Sequence, residues 1–368
     1  MIKDKFINVK KTCPLIHNIT NYVTANDVAN MILACGASPI MADEPEEAEE
    51  ITSVCAGLNI NIGTLNKRTI SAMLAAGKKS NELHHATLLD PVGAGASRLR
   101  TDTAVKLLEN IQFDVIRGNI SEIKTLAKCG GRTKGVDADA ADEIREDNLD
   151  QAVSFIQDFS RKTKCIIAVT GAIDIVADGD RGYIIRNGRP EMGRITGTGC
   201  QLSGLMTAFL AANRGNELEA AAAAVAVMGT AGEIGWANMQ KGDGNSTYRN
   251  RIIDAVCSLD GDMLEHMAKI AKAGCQVSII TDAPVTPQKY LSLCAAMAVR
   301  GGMEPYEALK AITINPAKHL GIEDRVGSLA VGKDADILIF SGDPLDGISL
   351  PDQVLIDGKL IENTSGQL

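Results

Sequence analysis

Aromatic side chains make up only 3% of the 368 residues, with a single tryptophan among them. The core must therefore be aliphatic, filled by Ala, Ile, Leu and Met. Positive charge is also short. The 37 Lys and Arg against 46 Asp and Glu leave a net charge of −9, and no basic stripe exists to neutralise nucleic-acid phosphates. A small molecule that brings its own counter-cation fits better than nucleic acid. The nine cysteines are odd in number and form no CxxC pair, so they read as reduced cytosolic thiols rather than a disulfide framework. The opening MIKDKFINVKK lacks an apolar signal core. The most apolar run, AAAAAVAVMGTAG from Ala220, is too short and too alanine-rich to span a bilayer. It reads as a buried helix, and the chain as a soluble, cytoplasmic protein with no membrane partner.

What is present is a rhythm. PLIHNIT, ASPIM, LNINIG, ATLLDPV, FDVIRGN and CIIAVTG are strand-like runs that end in turns, with helical stretches such as NYVTANDVANMILACG between them. The pattern predicts an α/β fold with a mostly parallel sheet covered by helices on both faces. AIDIVADGDRGYIIRNG breaks the rhythm as an antiparallel hairpin, and three helical stretches follow, the last ending near Ile270. The character then changes. CQVSIITDAPV reads as a buried strand with Asp282 at its end, PQKYLSLCAAMAVRGGM and EPYEALKAITINPAKHLG as two helices, and VGSLAVGKDADILIF and VLIDGKLIE as strand pairs. The division predicted is 1–268 and 269–368.

Four polar clusters fall at strand ends, where open α/β sheets collect their ligands. RITGTGCQLSG, residues 194–204, is a tight glycine turn running into a helix that Thr198 can cap. The backbone amides of Gly197, Thr198, Gly199 and Cys200 there suit a phosphate. DPVGAGAS places Asp90 before a second glycine turn, RGNISE brings Arg117, Asn119 and Glu122, and VTG adds Thr170. Together they suggest one site for a charged ligand and a metal. The plain alternative is an Arg117–Glu122 surface ion pair, with Met41 in the core. GVDADAADE, residues 135–143, lacks the register of a calcium loop and reads as a solvated loop.

PLIHNITNYVTANDVANMILACGASPIMADEPEEAEE, DPVGAGAS, RGNISEI, AVTGAIDIVADG and ITGTGCQLSG, in this order, resemble the hydroxyethylthiazole kinase family over about residues 1–268. The resemblance implies a ribokinase-like fold and ATP- and Mg2+-dependent phosphorylation of the hydroxyl of 4-methyl-5-(2-hydroxyethyl)thiazole in thiamine salvage. It also implies a homotrimer with pockets between subunits. Carried over, Met41 and Gly197 would touch the thiazole with Asn21 close by. Arg117 and Thr170 would hold ATP, and Asn119, Glu122 and Asp90 would serve the metal. Cys200 stands where ribokinase-like enzymes generally carry an aspartate base. A thiol at a helix amino end has a lowered pKa, so Cys200 is expected to be partly thiolate and a modest base.

Residues from about 272 on resemble the end of a metal-dependent amidohydrolase of the imidazolonepropionase-like kind. This implies a last barrel strand, helices and β-sandwich strands, with Asp282 as the barrel carboxylate. The five histidines of the chain include no HxH pair, and a catalytic metal needs at least three protein ligands. Carbon–nitrogen hydrolysis is therefore the disfavoured alternative. The second alternative is a non-catalytic nucleotide- or thiazole-binding protein.

Overall fold

The computed structural model describes residues 2–129, 143–272, 277–284, 286–301, 303–346, 349 and 351–361. The chain divides into two compact units, Met1–Gly274 and Cys275–Leu368. Of the predicted loop 135–143, all but Glu143 lies outside the described residues.

The first unit runs α1 (Ile2–Thr12), β1 (Leu15–Ile19), α2 (Ala25–Ala34), β2 (Ser38–Met41), α3 (Pro45–Val54), β3 (Gly57–Asn61), α4 (Lys67–Glu82), β4 (Ala86–Asp90), α5 (Arg98–Asn110), β5 (Val115–Gly118) and α6 (Ile120–Cys129). It continues with α7 (Leu149–Thr163), β6 (Ile166–Val169), β7 (Asp174–Ala177), β8 (Gly182–Ile185), α8 (Thr198–Ala212), α9 (Glu217–Ala237), α10 (Asn245–Ser258), α11 (Gly261–Met267) and β9 (Ile270–Lys272). All strands join one sheet of order β2-β1-β3-β4-β5-β6-β7-β8-β9. From β2 to β6 neighbours run parallel, and the hairpin β7–β8 and then β9 add antiparallel edges.

Alternation along the buried strands sends neighbouring residues to opposite faces. Leu88 and Val115 join the core under α1, α2 and α8 to α11, while Leu89 and Ile116 join the core under α3 to α7. This is the layered α/β architecture that the resemblance implies. The alanine run lies in α9, where Ala220–Ala224 are fully buried; methyl side chains let a helix approach its neighbours closely. The helix reaches 21 residues, long and apolar enough by composition to cross a membrane, yet 78% of its most apolar stretch is buried inside the protein. Four helices rather than three follow the hairpin, because the chain turns at Leu259 and Asp260 before α11, whose amino end Asp260 caps.

The second unit holds α12 (Leu291–Arg300), α13 (Pro305–Ile312), α14 (Ile314–Leu320) and a separate sheet, β10 (Ile337–Ile339), β11 (Gln353–Ile356) and β12 (Lys359–Leu360), in that order and antiparallel. Residues 277–281 are irregular, not the expected buried strand, and Ile280 is 72% exposed. Their backbone bonds go to helices instead: Ile279 N donates to Ala311 O, and Asn315 Nδ2 to Val277 O. Thr313 interrupts the predicted single helix. Pro316 forces the interruption, since its ring would collide with the carbonyl of Ile312 in a continuous helix. VGSLAVGKDADILIF supplies one strand, β10, rather than a pair.

Candidate active site

β1 lies between β2 and β3, so the chain steps from β1 out to the edge strand β2 and then reverses past β1 to β3. Crevices at such a reversal, beyond the strand carboxyl ends, are the ligand sites of open α/β sheets. Asn21 follows β1, Asn61 and Asp90 end β3 and β4, Arg117 lies in β5, and Thr170 follows β6. α8 starts over the same edge.

The glycine turn is held by two close approaches. Gly197, at φ +89°, is the N-cap of α8. A side chain there would be strained by the backbone and would overlap Thr24 Cγ2. A Cβ on Gly199 would overlap the Arg117 guanidinium. Thr198, expected to cap the helix, is its first residue, and no side chain caps it. The amides of Thr198, Gly199 and Cys200 therefore have no acceptor within the helix, and they form the positive end of its dipole.

Behind the turn is a buried polar chain. Asn21 Nδ2 donates to Cys200 Sγ at 3.1 Å and to Asn61 Oδ1 at 3.1 Å. Asn61 Nδ2 donates to Cys200 Sγ at 3.2 Å and to Asp90 Oδ2 at 2.8 Å. Ser203 Oγ donates to the same Asp90 oxygen at 2.8 Å. Thr24 N and Oγ1 both donate to Asn21 Oδ1. The thiol is thus an acceptor for two amides.

Its acidity is the reverse of the expectation from helix position. Burial, and next the charge of Asp90, push the Cys200 thiol above its ordinary range; the neighbouring Thr24 hydroxyl and the hydrogen bonds from Asn21 and Asn61 only partly oppose this. The same burial pushes the Asp90 carboxyl up to about 6, against the pull of Arg117.

Arg117 Nη1 stands 3.6 Å from Asp90 Oδ2, and its Nη2 donates to Thr170 Oγ1 at 2.6 Å. Among the described residues, its Nε is buried without a partner, as is Asp90 Oδ1. Glu122 is not paired with Arg117. Its Oε2 accepts Asn119 N at 2.9 Å while Asn119 Oδ1 accepts Glu122 N at 2.9 Å, a reciprocal cap at the start of α6. Its Oε1 accepts Gly93 N at 2.8 Å, so Glu122 ties the second glycine turn to the end of β5.

Met41 is different: it ends the sheet-edge strand β2 and is 40% exposed, outside the core. Asn61, Ser203, Thr24 and Asp174 were not singled out in the sequence. Ser203 had a signal, lying three residues after Cys200 and so on the same helix face. Asp174, whose Oδ1 accepts Gly171 N at 2.8 Å, has a carboxyl that burial pushes up to about 7 beside Arg117. Asp282 is exposed on a turn.

The Hydroxyethylthiazole kinase family model matches residues 6–262, and the Amidohydrolase family model matches residues 218–361. A hydroxyethylthiazole kinase of Clostridium acetobutylicum is 58% identical over 269 residues, covering 73% of this chain and 98% of the relative. One of Clostridium tetani is 42% identical over 272 residues, covering 74% and 98%. The solved structure of a hydroxyethylthiazole kinase protein from Pyrococcus horikoshii OT3 aligns at 33% identity with a TM-score of 0.65, covering 74% of this chain and 98% of that one.

Proposed function

Because this chain belongs to the hydroxyethylthiazole kinase family, we propose that its first unit transfers the γ-phosphoryl group of ATP to the hydroxyl of 4-methyl-5-(2-hydroxyethyl)thiazole. The reaction would be Mg2+-dependent and serve thiamine biosynthesis or salvage. The observation that carries the reading is the uncapped amino end of α8 with the Arg117 guanidinium packed against Gly199 and Asp90 beside it.

Phosphoryl transfer passes through a loose transition state and needs mainly alignment and charge neutralisation. Arg117 binds and orients the triphosphate through a guanidinium that Thr170 holds in place. The amides of Gly197, Thr198, Gly199 and Cys200 take up charge on the migrating group. Asn21, Gly197 and Met41 line the thiazole side. Cys200, a thiol rather than a thiolate at neutral pH, contributes position more than basicity; the acceptor proton can leave late in a loose transition state.

Mg2+ fits the donor set. Asp90 Oδ1 is a buried carboxylate oxygen with no hydrogen-bond partner among the described residues, and a magnesium ion that arrives on phosphates needs only one or two protein carboxylates. Asp90 would hold it, with Glu122 and Asn119 supporting the same region. When bound, the ion offsets phosphate charge.

The remaining parts of the reading are a homotrimer, which sedimentation equilibrium checks, a cytoplasmic location, and a division into a kinase unit and a catalytically silent amidohydrolase-like segment. The deciding experiment is incubation of the full chain with ATP, Mg2+ and hydroxyethylthiazole, with product mass measured. Thiazole phosphate is the expected product. A folded protein that binds ATP and forms none would leave only a binding function.

A further inference from the structure

Arg100 plays no part in the kinase reading, yet it touches two of the turns that build the site. It lies in the first turn of α5, where Ser97 Oγ accepts its amide at 3.3 Å. A cation there opposes the helix dipole, so its placement is not explained by helix stability. Its side chain leaves the helix and Nη2 donates to Gly63 O at 2.6 Å. A Cβ on Gly93 would overlap Nη1 and stand 3.2 Å from Cζ. Among the described residues Arg100 makes no ion pair, so its fork is given to backbone alone.

Each of the two glycines holds a site residue. Gly63 N donates to Asn61 Oδ1 at 2.9 Å, and a Cβ on Gly63 would stand 3.0 Å from both Asn21 and Asn61. Those are the two amides that hold Cys200. Gly93 N donates to Glu122 Oε1. One guanidinium therefore spans the turn after β3 and the turn after β4.

We propose that Arg100 is a positioning residue for phosphoryl transfer, a strap that locks these two turns together and so fixes Asn61 and Cys200 on the acceptor side and Glu122 on the metal side. The proposal rests on the kinase reading for its catalytic consequence, and on the structure alone for the strap. A planar fork that donates to one turn while its edge packs against another is a task for arginine, which lysine performs only in part.

The test compares the full-length protein with Arg100→Ala and Arg100→Lys by steady-state kinetics, thermal melting and hydrogen exchange. In Arg100→Ala, kcat is expected to fall roughly 10- to 100-fold, as for misplaced catalytic groups, with KM for ATP within about twofold because Arg117 and Thr170 are untouched. Exchange should quicken in residues 61–66 and 91–97 and not elsewhere. Arg100→Lys should recover part of kcat. If the alanine variant fails to fold, the lysine variant decides by the same two readouts. Wild-type kcat in a folded Arg100→Ala, a raised KM for ATP at unchanged kcat, or unchanged exchange in both turns would each overturn the strap. A wild-type chain without kinase activity would sink the kinase reading instead, and local exchange would still decide whether the strap exists.

Discussion

Asn61 Nδ2 donates to both Asp90 Oδ2, at 2.8 Å, and Cys200 Sγ, at 3.2 Å. One amide thereby joins the end of β3, the end of β4 and the first turn of α8. Asn61→Ala should leave the thiol and the carboxylate each short of a donor and cost about 1–3 kcal/mol of stability. Asn61→Asp should cost more, because a second carboxylate would face Asp90 in a buried setting. Denaturant unfolding of both variants checks the order.

Cys200 is expected to matter by position. Cys200→Ala should lower turnover by less than ~10²-fold, the low end for loss of a general base, and Cys200→Asp should remain active. A folded but inactive aspartate variant would contradict the shared position with ribokinase-like bases. Iodoacetamide at neutral pH should alkylate Cys200 more slowly than the exposed Cys13 and Cys257, since burial disfavours the thiolate. Peptide mapping reads the rates.

Gly199→Ala inserts a methyl group where the Arg117 guanidinium lies. It should displace Arg117 and raise KM for ATP while leaving the fold intact. Arg117→Lys keeps the charge but loses the fork; a lost hydrogen bond to a charged group is worth about 1.5–3 kcal/mol, so kcat/KM for ATP should fall roughly 10- to 100-fold.

The raised pKa values of Asp90 and Asp174 set the sign of a stability profile. Each carboxyl holds its proton more tightly in the folded protein than in the unfolded chain, Asp90 to about 6 and Asp174 to about 7. Their penalty is absent below the unfolded carboxylate pKa, grows as pH rises from there toward these folded values, and is complete above them. In chelator and without nucleotide, the wild type should lose stability between about pH 4 and 6 relative to Asp90→Asn, by on the order of 2–3 kcal/mol, and run parallel to it above that range. Against Asp174→Asn the same loss should start at the same pH and carry on to about pH 7. Profiles for wild type and Asp90→Asn that stay parallel between about pH 4 and 6 as well would disprove the buried charge.

Truncation after Gly274 should preserve phosphorylation, since the sheet of the first unit ends at Lys272. Truncation at 268 removes β9, which pairs with β8, and should lower the melting temperature. Both are read by activity and thermal melting.

The strand-then-turn rhythm, the glycine turn at 197–199 and the clusters around Asp90 and Arg117 were legible in the sequence because strand alternation, turn chemistry and helix starts are local properties. The same locality explains the misreadings. The stretch 277–281 has strand composition, but a strand exists only where a neighbour takes its backbone bonds, and here helices take them. Thr198 had the composition of a cap, yet close packing of Thr24 and Arg117 against the two glycines put the helix start one residue earlier. Strand order was decided only in three dimensions. By folding β1 beside β3, it brought Asn21 and Asn61 to a cysteine 179 and 139 residues away. The acidity of Cys200 was decided there too: the sequence supplies the helix amino end that would lower it, but burial next to Asp90 outweighs that effect, since desolvation depends on everything packed around the sulfur.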